Sequence, residues 1–598
     1  MRPIRPQRLL ALAAVAVAFA AADTYVVVLA LPDMMAGVGL SVEQLQQAAP
    51  IVSAFLLGYV AMLPLIGSVA DRRGRVPVLV AGLVVFSLGS LLTALAYGIG
   101  PMIAGRFLQG LGGGALVPAT LALVADLYPV ERRGVPLGIV SAVQEAGSLL
   151  GPLAGAVILA VADWRAIFGV NLIVGVVLAV ALQRGEAPIA GQRVAGISRP
   201  SDPRPSRLRP SGPRPDVLGV LLLLIVAVAG ALVFVEPTAM MRDLTWGELY
   251  IPVAGDSRWA TPLGLACITG VVLFAARCTF ARRPLVDVRG WSADLAEVDL
   301  PGALLLAVAL GGVILAFATA DPQVQAVSAQ GGWYLLGGAL ALLAFVLRQR
   351  SAARPLVPRS ALRPRAAWGS VLVSLLVGAA LVAALIDVPL FARTTVYPDS
   401  QLKAALVLVR FLVALPIGAV AGGWLTRRLP AGVVAAVGLA LAALGLAWMA
   451  RWDVDALRSA TATVPLLLAG LGFGLVLAPV NAAVLASTDA AIHGLASSLV
   501  VVARMVGMLV GISALTTLGL RHYYAAQGDL PPMSRVCGGH GMCDAYERML
   551  QAAGIAQEHT GFGWAAVVAV VGGLLAVGLL SGAPTREVDT REALRGLG

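Results

Sequence analysis

Gly67-Ser68-Val69-Ala70-Asp71-Arg72-Arg73-Gly74-Arg75 is a tight basic turn holding one carboxylate, set between apolar stretches near 47–70 and 76–98. Each stretch has the roughly 20-residue length that carries an α-helix across a bilayer. So short a turn sets the two helices side by side and gathers Arg72, Arg73 and Arg75 at one membrane surface, where positive charge marks the cytosolic side. Asp71 has its own use there: a carboxylate can accept from the amides of a helix N-terminus or pair with an arginine, locking two helices in one state. A plain positive-inside loop would need the arginines but not the Gly/Asp/Arg spacing.

Outward from this turn the pattern repeats. Apolar windows near 9–31, 47–70, 76–98, 101–125, 136–160 and 166–183 form a first set of six helices. A second set lies near 368–391, 404–425, 431–450, 462–486, 494–522 and 562–581. With 59% hydrophobic and 13% charged residues the chain has too little polar surface to coat a soluble globule, so its solvent is largely lipid. The net charge of +11 would suggest nucleic acid in a soluble protein, but the charges sit in short loops and form no continuous phosphate track. Arg2, Arg5 and Arg8 before an apolar run to Ala22 resemble a signal peptide, yet the run continues past Asp23 to Leu31, which suits a first transmembrane helix better.

The middle begins with Pro/Arg/Ser-rich residues 184–216, expected to be a disordered cytosolic linker. Residues 217–347 then return to the membrane as two helical pairs, near 217–235 with 261–276 and 300–319 with 332–347. The pairs look duplicated: Asp216-Val-Leu-Gly-Val-Leu-Leu-Leu opens the first and Asp299-Leu-Pro-Gly-Ala-Leu-Leu-Leu the second, while Arg283-Pro-Leu-Val and Arg354-Pro-Leu-Val close them. An alternative has 261–276 lying in the interface as too short to span. The expected organisation is a six-helix half at 1–183, the linker, the four linker helices, a cytosolic connection at 348–367, a second half at 368–582 with a periplasmic segment at 523–560, and a cytosolic tail at 583–598. About 16 crossings with both termini cytosolic place 30 of the 43 Lys/Arg inside, 10 outside and three within helices.

The basic turn resembles the signature of the major facilitator superfamily, G-x-x-x-D-[RK]-x-G-[RK]-[RK], departing from it only at Val76. A degenerate copy, Gly422-Gly-Trp-Leu-Thr426-Arg427-Arg428, sits at the matching place in the second half. Arg106-Phe-Leu-Gln109-Gly110 is similar to a motif of the superfamily's antiporters, and Gly138, Gly147, Gly151, Pro152 and Gly155 are similar to their glycine-proline helix. Small residues so spaced allow close helix packing, and Pro152 bends the helix. The extra helices point to the drug:proton antiporter branch. Within it the blocks Asp23-Thr-Tyr-Val-Val-Val, Gln144 to Pro152, Phe411 to Gly418 and Val501 to Gly511 resemble the mycobacterial triacylglycerol-exporting, multidrug-tolerance transporters, which have one linker hairpin rather than two. The resemblance implies an all-α polytopic major facilitator fold in a bacterial inner membrane. It also implies proton-driven export of hydrophobic substrates, triacylglycerol-type lipid or, alternatively, amphipathic drugs; a non-transporting scaffold or sensor is the remote alternative.

Charges inside membrane helices are costly and read by default as functional. Asp23, Arg106, Glu145 and Asp387 are the expected proton-coupling residues, with Asp23 and Asp387 at comparable depth in the first helix of each half. A permanent ion pair, or a carboxylate facing periplasmic water, is the plainer reading of either aspartate. Glu145 and Arg504 lie at similar depth in opposite halves, and the resemblance favours a gate ion pair between them; Arg410 has no assigned role. Cys537-Gly-Gly-His540-Gly-Met-Cys543 reads as a disulfide rather than a metal site, because three ligands leave the site incomplete. Cys267 and Cys278 are expected to be free. No soluble-enzyme motif is found, and no cofactor, metal or nucleic-acid partner is expected. The expected partners are protons, membrane lipids and the hydrophobic cargo, with a periplasmic lipid-carrier lipoprotein as candidate recipient of a monomeric transporter.

Overall fold

The structure, a computed structural model, describes residues 6–585 except 41–44, 187–215, 236–237, 244, 256–257, 282–283, 285, 319–329, 353–354, 359–360, 399, 529 and 538–542. Most of the expected disordered linker and most of the expected tail therefore lie outside the described residues, while Arg184 to Glu186 continue the sixth helix. Among the described residues every regular element is helical, as lipid demands of a chain whose backbone groups must be satisfied within each segment.

The first half comprises α1 (Pro6–Gly37), α2 (Leu45–Arg73), α3 (Arg75–Ala94), α4 (Ile99–Leu127), α5 (Gly134–Val161) and α6 (Arg165–Glu186). Next come α7 (Val217–Val235), the one-turn α8 (Thr238–Met241), α9 (Pro262–Phe280), α10 (Val288–Glu297), α11 (Leu300–Ala318) and α12 (Gly331–Ser351). The second half is α13 (Arg365–Thr394), α14 (Gln401–Leu425), α15 (Ala431–Met449), α16 (Thr463–Ala486), α17 (His493–Gly528), the one-turn α18 (Met533–Val536) and α19 (Asp544–Leu580). Residues 192–297 form one compact unit and the remainder another. Twelve of the described helices are long and apolar enough to cross a membrane, or up to thirteen if a broken helix pair counts as one span, so the expected sixteen crossings are not confirmed. α9 is among the twelve, at 19 residues.

α17 and α19 run beyond their apolar windows, so residues 523–560 are largely helical rather than one long loop. Stretches such as Asp544-Ala-Tyr-Glu-Arg-Met-Leu form helix well without being apolar, and hydropathy therefore does not register them. Cys537 and Cys543 are joined by a disulfide in the connection between these helices, while His540 lies outside the described residues. Cys267 and Cys278 are free.

The two linker hairpins share more than sequence. Asp216 Oδ1 accepts from the Gly219 amide at the start of α7 (3.0 Å) and from Arg277 Nη2 near the end of α9 (2.7 Å). Asp299 Oδ1 repeats both contacts, from the Gly302 amide at the start of α11 (3.1 Å) and from Arg348 Nε near the end of α12 (2.7 Å). In each copy one aspartate caps the first helix and pins the second to it. The second hairpin seats α11 on α2, with Gly311 against Leu57. Asp299→Ala should cost about 1–2 kcal/mol through the lost cap, and Arg348→Ala less, because the arginine is 40% exposed and its charge is screened. Thermal unfolding of the purified variants checks the order; an equal or larger loss for Arg348→Ala would contradict it.

Candidate functional site: buried charges and the basic turn

Asp23 and Arg106 meet in the interior of the first half. Arg106 Nη1 donates to Asp23 Oδ2 at 2.8 Å, and the two side chains are 1% and 0% exposed. The other carboxylate oxygen accepts from Asn171 Nδ2 of α6. Arg106 also donates to Gln109 Oε1 (2.8 Å) and the Ile51 carbonyl (3.3 Å), and lies over the Phe55 ring at 4.5 Å. Gln109 in turn donates to Ser90 Oγ at 2.8 Å. The pair thus has the additional hydrogen bonds that a buried charge pair needs to offset its desolvation. Asn171 escaped the sequence reading because a lone asparagine in an apolar helix carries no spacing signal.

α1 comes close enough for this through glycines on α5. A Cβ at Gly147 or Gly151 would strike the α1 backbone at Ala18 or Ala22, and one at Gly155 would press on Val26 at 3.1 Å. The Pro152 side chain lies outside the described residues. The second half repeats the arrangement between α13 and α17, where Gly507 meets Leu375 and Gly511 meets Ala379.

The basic turn reaches across to the second half. Asp71 accepts from the amides of Gly494 (2.9 Å) and Leu495 (3.2 Å) in the first turn of α17, and also pairs with Arg75. These amides are among the orphan donors of a helix start, where a carboxylate is favoured. Arg75 Nε holds Asp126 Oδ2 of α4 at 3.1 Å. Gly74 turns the chain at φ 103°, a region that suits glycine alone. Gly67 lies directly on Gly494, since a Cβ on Gly67 would sit 2.7 Å from the Gly494 carbonyl carbon. Arg72 and Arg73 complete the last turn of α2.

A matching contact joins α5 to α14, where Gly134 meets Gly423 and Gly138 meets Ala419. Thr426, standing where the second carboxylate would be, donates to its own helix at the Gly422 carbonyl (2.6 Å). Arg133 bridges the halves here, donating to the carbonyls of Leu485 (3.3 Å) and Ala125 (2.8 Å). Burial lowers its guanidinium from the ordinary value, and Asp126 and Glu131 oppose that shift.

Residues 13–347 match the Major Facilitator Superfamily family. A triacylglyceride transporter of Mycolicibacterium hassiacum is 34% identical over 536 residues, 88% of this chain and 81% of that protein. The chain belongs to the major facilitator superfamily. A triacylglyceride transporter of Mycobacterium tuberculosis is also 34% identical, covering 85% of this chain and 82% of that protein. A proton:xylose symporter of the superfamily shares the fold at 14% identity, with a TM-score of 0.51 over 98% of both chains.

Within this major facilitator chain, Arg504 acts electrostatically on Glu145 across the halves, but among the described residues no direct ion pair joins them in this conformation. Arg504 lines a small cavity with Ser374, Asn481 and Val501. Arg410 donates to Thr463 Oγ1 at 3.0 Å and so ties α14 to the start of α16. Asp387 is buried in α13 beside Glu558 of α19, a residue that sequence reading assigned to the periplasmic segment.

Gly67→Val should push α2 away from α17 and open this end of the bundle. Spin labels at Arg132 and Asp489, both exposed there, should then report a longer or broader distance distribution than in the parent. An unchanged distribution would show that the glycine contact does not hold the end closed.

Proposed function

We propose that this chain exports an apolar lipid of triacylglycerol type from the inner membrane toward the periplasm, driven by proton entry through alternating access. The observation that carries the reading is the Asp23 carboxylate, fully buried, with one oxygen held by Arg106 and the other by Asn171. A proton on Asp23 would cancel the charge that Arg106 is paired with and leave the guanidinium to Gln109, the Ile51 carbonyl and the Phe55 ring. Because α1 carries Asp23 and α4 carries Arg106, that change alters how two helices of one half are held. The names of the mycobacterial relatives support the cargo, and the apolar character of the helices supports access from the bilayer.

The driving force is adequate without ATP. One proton moving down about 150 mV releases roughly 3.5 kcal/mol, which sustains a gradient of about two to three decades for a neutral substrate. The end of the bundle bearing the basic turn is the cytosolic end in this reading, and the present conformation is closed there. A lipid-carrier lipoprotein on the opposite side is the proposed recipient.

Proteoliposomes with an imposed pH gradient and a fluorescent triacylglycerol test the proposal. Wild-type protein should move the lipid only with the gradient, and Asp23→Asn should lose at least tenfold in rate while keeping its elution profile. Gradient-independent movement would reject proton drive, and normal rates in Asp23→Asn would remove Asp23 from it. Transport of ethidium but not of lipid would assign drug efflux instead.

Glu145 and Arg504 are proposed as a gate pair that closes in the other access state. Replacing either alone strands a charge, at a cost of about 3–5 kcal/mol where the pair is buried, so each single variant should fail in the same assay. The swap of Glu145→Arg with Arg504→Glu should recover part of the activity; near-normal export in either single variant rules the gate out.

A further inference from the structure

α13 and α19 bring two carboxylates together inside the second half. Asp387 is 8% exposed and Glu558 2%, and the Asp387 Oδ2 and Glu558 Oε2 atoms have no hydrogen-bond partner. Glu558 acts electrostatically on Asp387. Gly561, three residues beyond Glu558, makes room for the approach, because a Cβ there would collide with Asp387 Oδ2.

No positive charge answers them among the described residues. α16 carries no lysine or arginine along its length. Arg410 of α14 is engaged with Thr463, and Arg504 of α17 acts electrostatically on Glu145. His559, next to Glu558, is turned to the Trp452 carbonyl at 2.6 Å. His493 is bonded to the Thr488 carbonyl at the far end of α17. Arg393 of α13 and Arg548 of α19 are exposed, and α15 carries no ionisable side chain.

The first half shows what is missing. α1 and α6 there bring Asp23 and Asn171 together, and α4 supplies Arg106. The corresponding helices of the second half, α13 and α19, bring Asp387 and Glu558 together, but α16, the counterpart of α4, offers no cation. Two ionised carboxylates buried near each other away from water suffer both desolvation and mutual repulsion, and one proton on the pair relieves both.

We infer that the buried pair Asp387 and Glu558 carries one proton, a second proton-binding site separate from Asp23 and Arg106. Its use in transport rests on the proton-driven reading above; its occupancy does not. Infrared difference spectroscopy of the purified full chain at neutral pH tests it without substrate. Subtracting the spectrum of the Asp387→Asn, Glu558→Gln double variant should leave one protonated-carboxyl C=O band that shifts in D2O. A difference containing only ionised-carboxylate bands overturns the inference, and so does a band that sodium ions abolish at fixed pH, which would make this a cation site. If the double variant does not fold, Glu558→Asp, which keeps both carboxyls, should retain the band at a shifted frequency. An unshifted band would belong to another group and overturn the assignment. Failure of lipid export would leave these spectra unaffected, so the two ideas can fail separately.

Discussion

Backbone-to-backbone contact at glycine holds the two halves together at one end of the bundle, and the placement of the buried charges follows from it. Gly67 on Gly494 joins α2 to α17, and Gly134 on Gly423 joins α5 to α14. Each contact pairs the second helix of one half with the fifth of the other, so the closure is nearly two-fold symmetric. Without a hydrophobic driving force between helices in lipid, such close approach is what lets packing and polar contacts take over. The same fifth helices, α5 and α17, use further glycines to approach the first helix of their own half. Close contacts therefore run without a break from the closed end to α1 and α13, which carry Asp23 and Asp387.

The symmetry is broken wherever there is charge. Asp71 engages two amides at the start of α17, whereas the Thr426 hydroxyl in the matching position bonds within its own helix and Arg133 does the bridging. In the interior the first half balances Asp23 with Arg106, while the second sets Asp387 against Glu558. A backbone that repeats with side chains that do not gives two halves of similar shape and different response to a proton.

Much of this was legible in the sequence. The spacing of Gly67, Asp71 and Gly74 was enough to expect the carboxylate either at a helix start or on a nearby arginine, and the structure shows both. The repeated Asp-x-x-Gly openings of the linker hairpins were legible as a duplication, and the structure shows that each aspartate is also a helix cap, a local interaction written in local sequence. Asp23 and Arg106 were recognisable singly as costly charges, but their pairing, 83 residues apart, depends on how α1 and α4 pack. Glu558 was hidden for a different reason. It lies beyond the apolar window of α19, and only the helical continuation back to Asp544 carries it into the core beside Asp387. Hydropathy measures how long a segment is apolar, not how far its helix extends.

The strength of the closure can be set against the energy available to undo it. Asp71 makes two charge-assisted hydrogen bonds to α17, each worth about 1.5–3 kcal/mol net, so releasing them costs roughly 3–6 kcal/mol before any packing is counted. One proton crossing about 150 mV supplies roughly 3.5 kcal/mol. These are of the same order, and a single proton has little to spare for separating the glycine contacts as well. The opposite access state must therefore gain compensating contacts of its own. The proposed gate pair of Glu145 and Arg504, which interact electrostatically but form no ion pair in this conformation, would supply one. A second proton at Asp387 and Glu558 would enlarge the available energy on the side of the molecule that carries α17, the helix whose start Asp71 must release.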